Sequence, residues 1–193
     1  MRPQTAFSSE APMAQARARG VCPICTLMRA FQNSMIESPH SYPATSLCNF
    51  HAWSLAGSSP AMEAVPIFRA MLQASEIGLG PGPIEMRSCD WCSALRGHEE
   101  EKLTEFTREM KRDNFRNWVT QYGTVCVFHG RRLIKVLPEP EADVIRHILV
   151  SNQEDLEKQL MAFDVKVRRG EKGGGGLLGH IVEFLVSQRG ITR

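Results

Sequence analysis

The chain has 193 residues, a hydrophobic content of 42%, a formal net charge of +2 and a mean hydropathy of -0.23. No stretch contains the roughly 18 consecutive apolar residues of a transmembrane helix, and residues 1–20 lack the apolar run of a secretory signal, so we expect a cytoplasmic protein without a membrane span. The near-neutral charge neither requires nor excludes nucleic acid as a partner.

The spacing of the apolar residues predicts an all-α fold. Residues 1–20 are rich in Ala, Ser, Pro and Arg without a period, which predicts a disordered tail. Apolar residues then recur at intervals of three and four residues, which is helical spacing. The Gly- and Pro-rich run at 78–83 predicts a boundary between two halves of the chain. Further helices are predicted over Ser93–Met110, Glu141–Phe163 and Leu177–Val186. No segment alternates as a strand would.

A degenerate tandem repeat places CxxC before CxxH twice. The CxxC pairs read CPIC and CDWC, and the CxxH pairs read CNFH and CVFH. All six cysteines belong to this pattern, so the spacing points to one shared chemistry. We expect a first unit over 21–80, a second over 84–138 and a helical extension over 139–193.

These pairs predict two metal sites. Residues three apart near the start of a helix lie on one face, and two such pairs supply four ligands. Thiolate sulfur and imidazole nitrogen are the donors of closed tetrahedral zinc sites, so two zinc ions are the predicted cofactors. Each repeat unit is expected to enclose its own ion. The first site would comprise Cys22, Cys25, Cys48 and His51, and the second Cys89, Cys92, Cys126 and His129.

Other chemistry fits the same ligands. Two iron–sulfur clusters are the alternative cofactor, because thiolates also bind iron and histidine can replace a cysteine. A dithiol redox motif fits less well, since it accompanies a βαβ pattern that this sequence lacks. Four protein ligands leave no position for a catalytic water, so no enzymatic activity is predicted. Trp53 and Trp91 stand beside ligands, where they either shield the sulfurs or pack in the core.

The ligand motifs resemble those of an uncharacterised prokaryotic family with tandem CxxC…CxxH units. The likeness rests on CPIC, LCNFHAW and the second pair of motifs, and the family also tends to end in a long helix, a basic stretch and a closing amphipathic helix. This chain departs from it in having CDWC in place of CPxC, and glycines in place of an acidic, tryptophan-containing stretch. The resemblance implies metal sites and a helical architecture, and it supplies no reaction.

The preferred functional interpretation is a zinc protein whose ions hold the helices together. The helices then present a surface to a protein partner. A redox or sensor protein with iron–sulfur clusters is one alternative. A nucleic-acid-binding zinc protein is another, because contact with phosphates needs cationic side chains. The basic runs that suggest it are Arg108, Lys111, Arg112 and Arg116, then Arg131, Arg132 and Lys135. A solvated helix face is the simpler interpretation of these runs.

Overall fold

The computed structural model describes residues 21–59, 61–74, 88–170 and 176–186. These residues form eight α-helices and no β-strand, which confirms the all-α prediction. The helices are α1 (Pro23–Glu37), α2 (Asn49–Ser58), α3 (Ala61–Ala74), α4 (Asp90–Glu109), α5 (Asp113–Tyr122), α6 (Val127–Val136), α7 (Glu139–Arg168) and α8 (Gly176–Val186). A short 3₁₀ helix, η1 (Pro39–Ser41), follows α1. Within the described ranges, no helix combines the length and apolar character that crossing a membrane requires.

The helices agree with the sequence except at α5. The helices predicted over 93–110, 141–163 and 177–186 correspond to α4, α7 and α8. Helix α5 was not predicted, because it has only ten residues and most of them are polar. The tail predicted at 1–20 and the boundary predicted at 78–83 lie outside the described residues.

Contacts divide the chain into two compact units. Among the described residues, the first unit takes those up to Leu27 and those from Glu101 onward, and the second takes Met28–Glu100. The chain therefore leaves the first unit early and returns to it after more than seventy residues. Two separated stretches must come together to build that unit.

The first unit is organised by the packing of α6 on α7. Leu133 of α6 and Ile145 of α7 are fully buried, as is Phe106 near the end of α4. Gly130 lies where the two helices come close, since a Cβ atom there would stand 2.7 Å from Cδ1 of Leu149. The missing side chain thus lets α7 approach α6 immediately after His129.

The second unit packs the aromatic residues of α1 and α4 around η1. Trp91 is 1% exposed, and its Nε1 donates a hydrogen bond to the carbonyl oxygen of Tyr42 at 3.0 Å. The ring of His98 stacks on Phe31 with 4.1 Å between centroids, and Tyr42 meets Phe31 edge-on at 5.4 Å. These contacts bring the segment before α2 close to the start of α4.

Candidate metal centres

Each of the four ligand pairs occupies the same two positions at the start of a helix. The first residue is the N-cap, because its carbonyl oxygen accepts the first intrahelical hydrogen bond. These bonds run from the amides of Thr26, Ala52, Ser93 and Gly130 to the carbonyls of Cys22, Cys48, Cys89 and Cys126, at 3.0, 2.9, 3.0 and 2.8 Å. The second residue of each pair lies three positions later, in the first turn. Both ligands therefore point to the same side of the helix start.

The outer cluster consists of Cys22, Cys25, Cys126 and His129. Its histidine presents Nδ1 to all three sulfurs, at 3.6 Å from Cys22, 3.3 Å from Cys25 and 3.2 Å from Cys126. The sulfurs of Cys25 and Cys126 are 3.7 Å apart. All four side chains are buried. The N-termini of α1 and α6 thus converge on one group of four donor atoms.

The inner cluster consists of Cys48, His51, Cys89 and Cys92. Nδ1 of His51 lies 3.4 Å from Cys48, 3.2 Å from Cys89 and 3.5 Å from Cys92. The sulfurs of Cys48 and Cys92 are 3.8 Å apart. Here the N-termini of α2 and α4 converge. In contrast to the outer cluster, Cys48 and Cys92 are only partly buried.

The predicted assignment of ligands to sites is wrong. All eight predicted residues take part, but neither repeat unit, 21–80 or 84–138, encloses a cluster of its own. The first CxxC pair meets the last CxxH pair, and the two middle pairs meet each other, so the connectivity is nested. Helix α1 carries the chain away from the first CxxC pair, whereas hydrogen bonds to Asp90 hold the segment before Cys48 at the start of α4. Helix α1 alone, with 15 residues, is about 22 Å long.

The protonation of the thiols is set by their closeness to one another. In the outer cluster, burial raises the pKa of Cys22, but hydrogen bonds from Cys126 and Cys25 outweigh it and bring that pKa well below its usual value. Hydrogen bonding to Cys126 and Cys22, together with burial, raises the pKa of Cys25. One thiolate thus makes its neighbours harder to ionise. A divalent cation removes this repulsion, so the cluster is complementary to a metal ion.

The inner cluster follows the same pattern. Burial opposes ionisation of Cys48, but hydrogen bonds from the His51 amide and from Cys89 lower its pKa overall. Burial, followed by hydrogen bonding to Cys89, raises the pKa of Cys92 to about 12. Burial also lowers the pKa of His51, which keeps the imidazole neutral, as a metal ligand must be. Each of the two clusters could therefore hold a metal ion.

Asp90 is a positioning residue that the sequence analysis missed. Its Oδ2 accepts hydrogen bonds from the backbone amides of Thr45 at 2.8 Å and Ser46 at 3.0 Å. Its own amide donates to the carbonyl of Ser46 at 2.9 Å. Asp90 thus ties the segment before Cys48 to the start of α4. An acidic residue directly after an N-cap cysteine was the available signal, because carboxylates favour the first turn of a helix.

Of the two tryptophans beside ligands, only Trp91 is packed against a ligand. Its ring meets His51 edge-on with 5.7 Å between centroids, whereas Trp53 is 73% exposed. Within the described part of the chain, the buried Nε2 of His51 has no hydrogen-bond partner. The ring of Phe50 also meets His51 edge-on, with 5.3 Å between centroids, so two aromatic rings pack against the imidazole.

Comparison with known proteins gives no match among protein-family models, curated proteins or solved structures. The resemblance to a family with tandem CxxC…CxxH units thus stays a prediction from the motifs. The assignment of these residues rests on the geometry of the two clusters.

The nested connectivity predicts which pairs of substitutions remove one centre and which remove both. The variant Cys22→Ser with Cys126→Ser disrupts only the outer cluster, so we expect it to lose half of the bound zinc. The variant Cys22→Ser with Cys48→Ser disrupts both clusters, so we expect almost no tightly bound zinc. Elemental analysis of the purified variants measures this. Pairing within each repeat would give the opposite result, with half of the zinc retained only by the second variant.

Replacing Asp90 with Ala should weaken the inner centre alone. The substitution frees the amides of Thr45 and Ser46 and so loosens the segment before Cys48, and we expect zinc affinity to fall by about tenfold, the lower end of the range for lost hydrogen bonds to the ligands themselves. Competition with a chromophoric chelator would resolve one weakened site and one unchanged site per chain. Pro23 holds the matching position in the outer cluster, and Pro23→Ala serves as a control that should leave the inner affinity unchanged. Equal weakening of both sites by Asp90→Ala would contradict this role.

Proposed function

We propose that this protein is a non-enzymatic zinc protein, in which two structural zinc ions join helix N-termini and the helices present a surface to a protein partner. The observation that carries the proposal is the arrangement of two groups of four donor atoms, each containing three sulfurs and one nitrogen. Within each group the donor atoms lie within 4.8 Å of one another. Such a spacing fits the coordination shell of one ion.

The distances favour a tetrahedral zinc ion. Bonds of about 2.3 Å to sulfur and 2.0 Å to nitrogen give a tetrahedron with sulfur–sulfur edges of about 3.8 Å and sulfur–nitrogen edges of about 3.5 Å. The sulfur–sulfur distances of 3.7 and 3.8 Å agree with these edges. The sulfur–nitrogen distances range from 3.2 to 3.6 Å, which includes the expected sulfur–nitrogen edge of about 3.5 Å. The donors therefore fit zinc in number, type and spacing.

The iron–sulfur alternative fits this spacing less well. In a cluster the protein thiolates bind different iron atoms, which separates the ligands by the size of the cluster. Donor atoms that all lie within 4.8 Å suit a single ion better. A cluster protein would absorb visible light and contain iron, whereas a zinc protein is colourless.

Charge also favours a structural role. Three thiolates around one divalent ion leave a formal charge of about −1, while each helix N-terminus carries roughly half a positive charge. Two helix N-termini meet at each cluster and together offset that charge. Four protein donors moreover leave no coordination position for a substrate or a water molecule. Each centre is thus suited to hold helices together and not to catalyse a reaction.

The energy of zinc binding is large on the scale of this fold. Structural zinc contributes roughly 10–16 kcal/mol in zinc-finger peptides, and a whole domain is typically stable by about 5–15 kcal/mol. Each unit contains one of the two clusters. We therefore expect the folding of both units to depend on zinc.

Helix α8 supports the proposal of a protein partner. Phe184 packs inward with 6% exposure, yet Leu178, Val182 and Leu185 are 49%, 55% and 54% exposed. Their spacing of four and three residues places them on one helix face, and a helix that is apolar on two faces is usually buried on both. A protein groove recognises such a stripe through side chains at positions i, i+4 and i+7. We propose that a protein covers this stripe.

The first basic run gives less support to a nucleic-acid partner. Arg112 pairs with Glu109 at 2.8 Å, and Arg116 pairs with Glu141 at 3.3 Å and with Asp113. Intramolecular carboxylates thus neutralise part of the positive charge that phosphate binding would use. For this reason we favour a protein partner.

Removal of metal tests the structural role. Elemental analysis of the freshly purified protein should give two zinc ions per chain, no iron and no visible absorption. A strong chelator should then abolish most of the helical far-UV circular dichroism and the cooperative thermal transition, and added zinc should restore both. Unchanged circular dichroism and melting temperature after complete zinc removal would contradict a structural role. Iron with visible absorption would support the cluster alternative.

Site-specific photocrosslinking tests the proposed partner surface. A photoreactive phenylalanine analogue at Leu178 or Val182 should give the same protein adduct in living cells, and the analogue at exposed Glu157 should give none. Leu185→Asp should abolish the adduct while zinc content stays unchanged, because Leu185 lies on the exposed stripe and belongs to neither cluster. An adduct that nuclease removes, or equal crosslinking from all three positions, would argue against a protein on this stripe.

A further inference from the structure

We propose that Cys48 and Cys92 form a thiol modification site, at which a peroxide oxidises the two sulfurs to a disulfide and the inner zinc ion is released. This inference rests on the proposed function, because it takes zinc as the resident ion of the inner cluster. It assigns to that cluster a chemistry that the outer cluster does not share. The two centres would then have different roles, one permanent and one reversible.

The cysteines of the inner cluster are more exposed to solvent than those of the outer cluster. The outer cysteines Cys22, Cys25 and Cys126 are 4%, 3% and 2% exposed. In the inner cluster Cys48 and Cys92 are half-buried, while Cys89 is 8% exposed and His51 fully buried. Oxidation of a thiolate requires that the oxidant reach the sulfur. Of the six cysteines only Cys48 and Cys92 are more than slightly exposed, and both belong to one centre.

The sulfurs of Cys48 and Cys92 also lie close to each other. They lie 3.8 Å apart, which is the edge of the coordination tetrahedron. A disulfide needs a sulfur–sulfur distance of about 2.05 Å, so side-chain rotation has to close a gap of less than about 2 Å. The sulfur that is oxidised first therefore has a second accessible sulfur beside it. Such an arrangement favours a disulfide over further oxidation.

Contacts other than the metal ligands also join the two segments. Asp90 accepts hydrogen bonds from the amides of Thr45 and Ser46, and the Asp90 amide donates to the carbonyl of Ser46. These bonds link the chain before Cys48 to the start of α4, independently of the ligands. In the oxidised form the disulfide replaces the zinc ion as the link between these segments and keeps Cys48 and Cys92 together. The oxidised form can thus be reduced and loaded with zinc again.

The chemistry balances with hydrogen peroxide as the oxidant. One thiolate attacks a peroxide oxygen, the O–O bond breaks, and a sulfenic acid and hydroxide form. The second thiolate attacks the sulfenic sulfur, the S–S bond forms and the sulfenic oxygen leaves as hydroxide. The sulfurs lose two electrons, peroxide gains them, and two protons from solvent convert both hydroxides to water. Cys89 and His51 then remain as only two ligands, too few to retain zinc in a four-coordinate site.

Peroxide treatment of the zinc-loaded full-length protein tests the inference. A colorimetric zinc indicator should report release of one of the two zinc ions, and mass spectrometry without reduction should find a peptide linked through Cys48 and Cys92. Dithiothreitol with added zinc should restore the original zinc content. Simultaneous release of both ions, no release at all, or linkage through another pair of cysteines would overturn the inference.

Two variants serve as controls. Cys48→Asp keeps an N-cap residue and an oxygen ligand for zinc but cannot form the disulfide, so peroxide-driven release should slow at least about tenfold. The variant Cys22→Ser with Cys126→Ser retains only the inner centre and should release all of its zinc. Equal rates of peroxide-driven zinc release from Cys48→Asp and from the natural protein would contradict oxidation at Cys48. If Cys48→Asp binds no zinc at that centre, the presence or absence of a Cys48–Cys92 linked peptide in the natural protein still tests the inference.

Failure of this inference can be distinguished from failure of the proposed function. A purified protein that contains no zinc would refute the proposed function before any peroxide is added. A protein with two zinc ions that resists peroxide at both centres would refute only the modification site. Selective loss of one ion with the expected linkage supports both.

Discussion

The fold depends on the convergence of two helix N-termini at each cluster of ligands. Every ligand pair consists of an N-cap residue and a residue three positions later, so one local geometry is used four times. This geometry directs two donors to the same side and places free backbone N–H groups beside the thiolates. A single helix start supplies only half of a coordination shell. The N-termini of two helices must therefore meet to complete the coordination shell of one ion.

The nested connectivity makes the two clusters close loops of different length. The outer cluster joins residues 101 to 107 positions apart and connects the start of α1 to the start of α6 within the first unit. The inner cluster joins residues 38 to 44 positions apart within the second unit. Closing the longer loop costs roughly 1 kcal/mol more. The outer cluster is buried throughout, whereas Cys48 and Cys92 leave the inner cluster partly exposed.

Sequence reasoning found the eight residues of the two clusters and most of the helices, because both depend on local spacing. It did not find how the pairs combine. The CxxC pairs are chemically alike, as are the CxxH pairs, so spacing contains no preference between nested and consecutive pairing. A non-local contact contributes to this choice: Asp90 ties the segment before Cys48 to α4 and so brings the two middle pairs together. An aspartate after an N-cap cysteine marks a helix start in the sequence, but it does not reveal which segment its carboxylate binds.

The most direct test of the account is to observe which residues bind each ion. In protein loaded with cadmium-113, a proton–cadmium correlation spectrum connects each ion to the β protons of the cysteines that bind it. The nested arrangement predicts one cadmium signal coupled to Cys22, Cys25 and Cys126, and a second coupled to Cys48, Cys89 and Cys92. A signal that couples Cys22, Cys25 and Cys48 to the same ion would contradict the account.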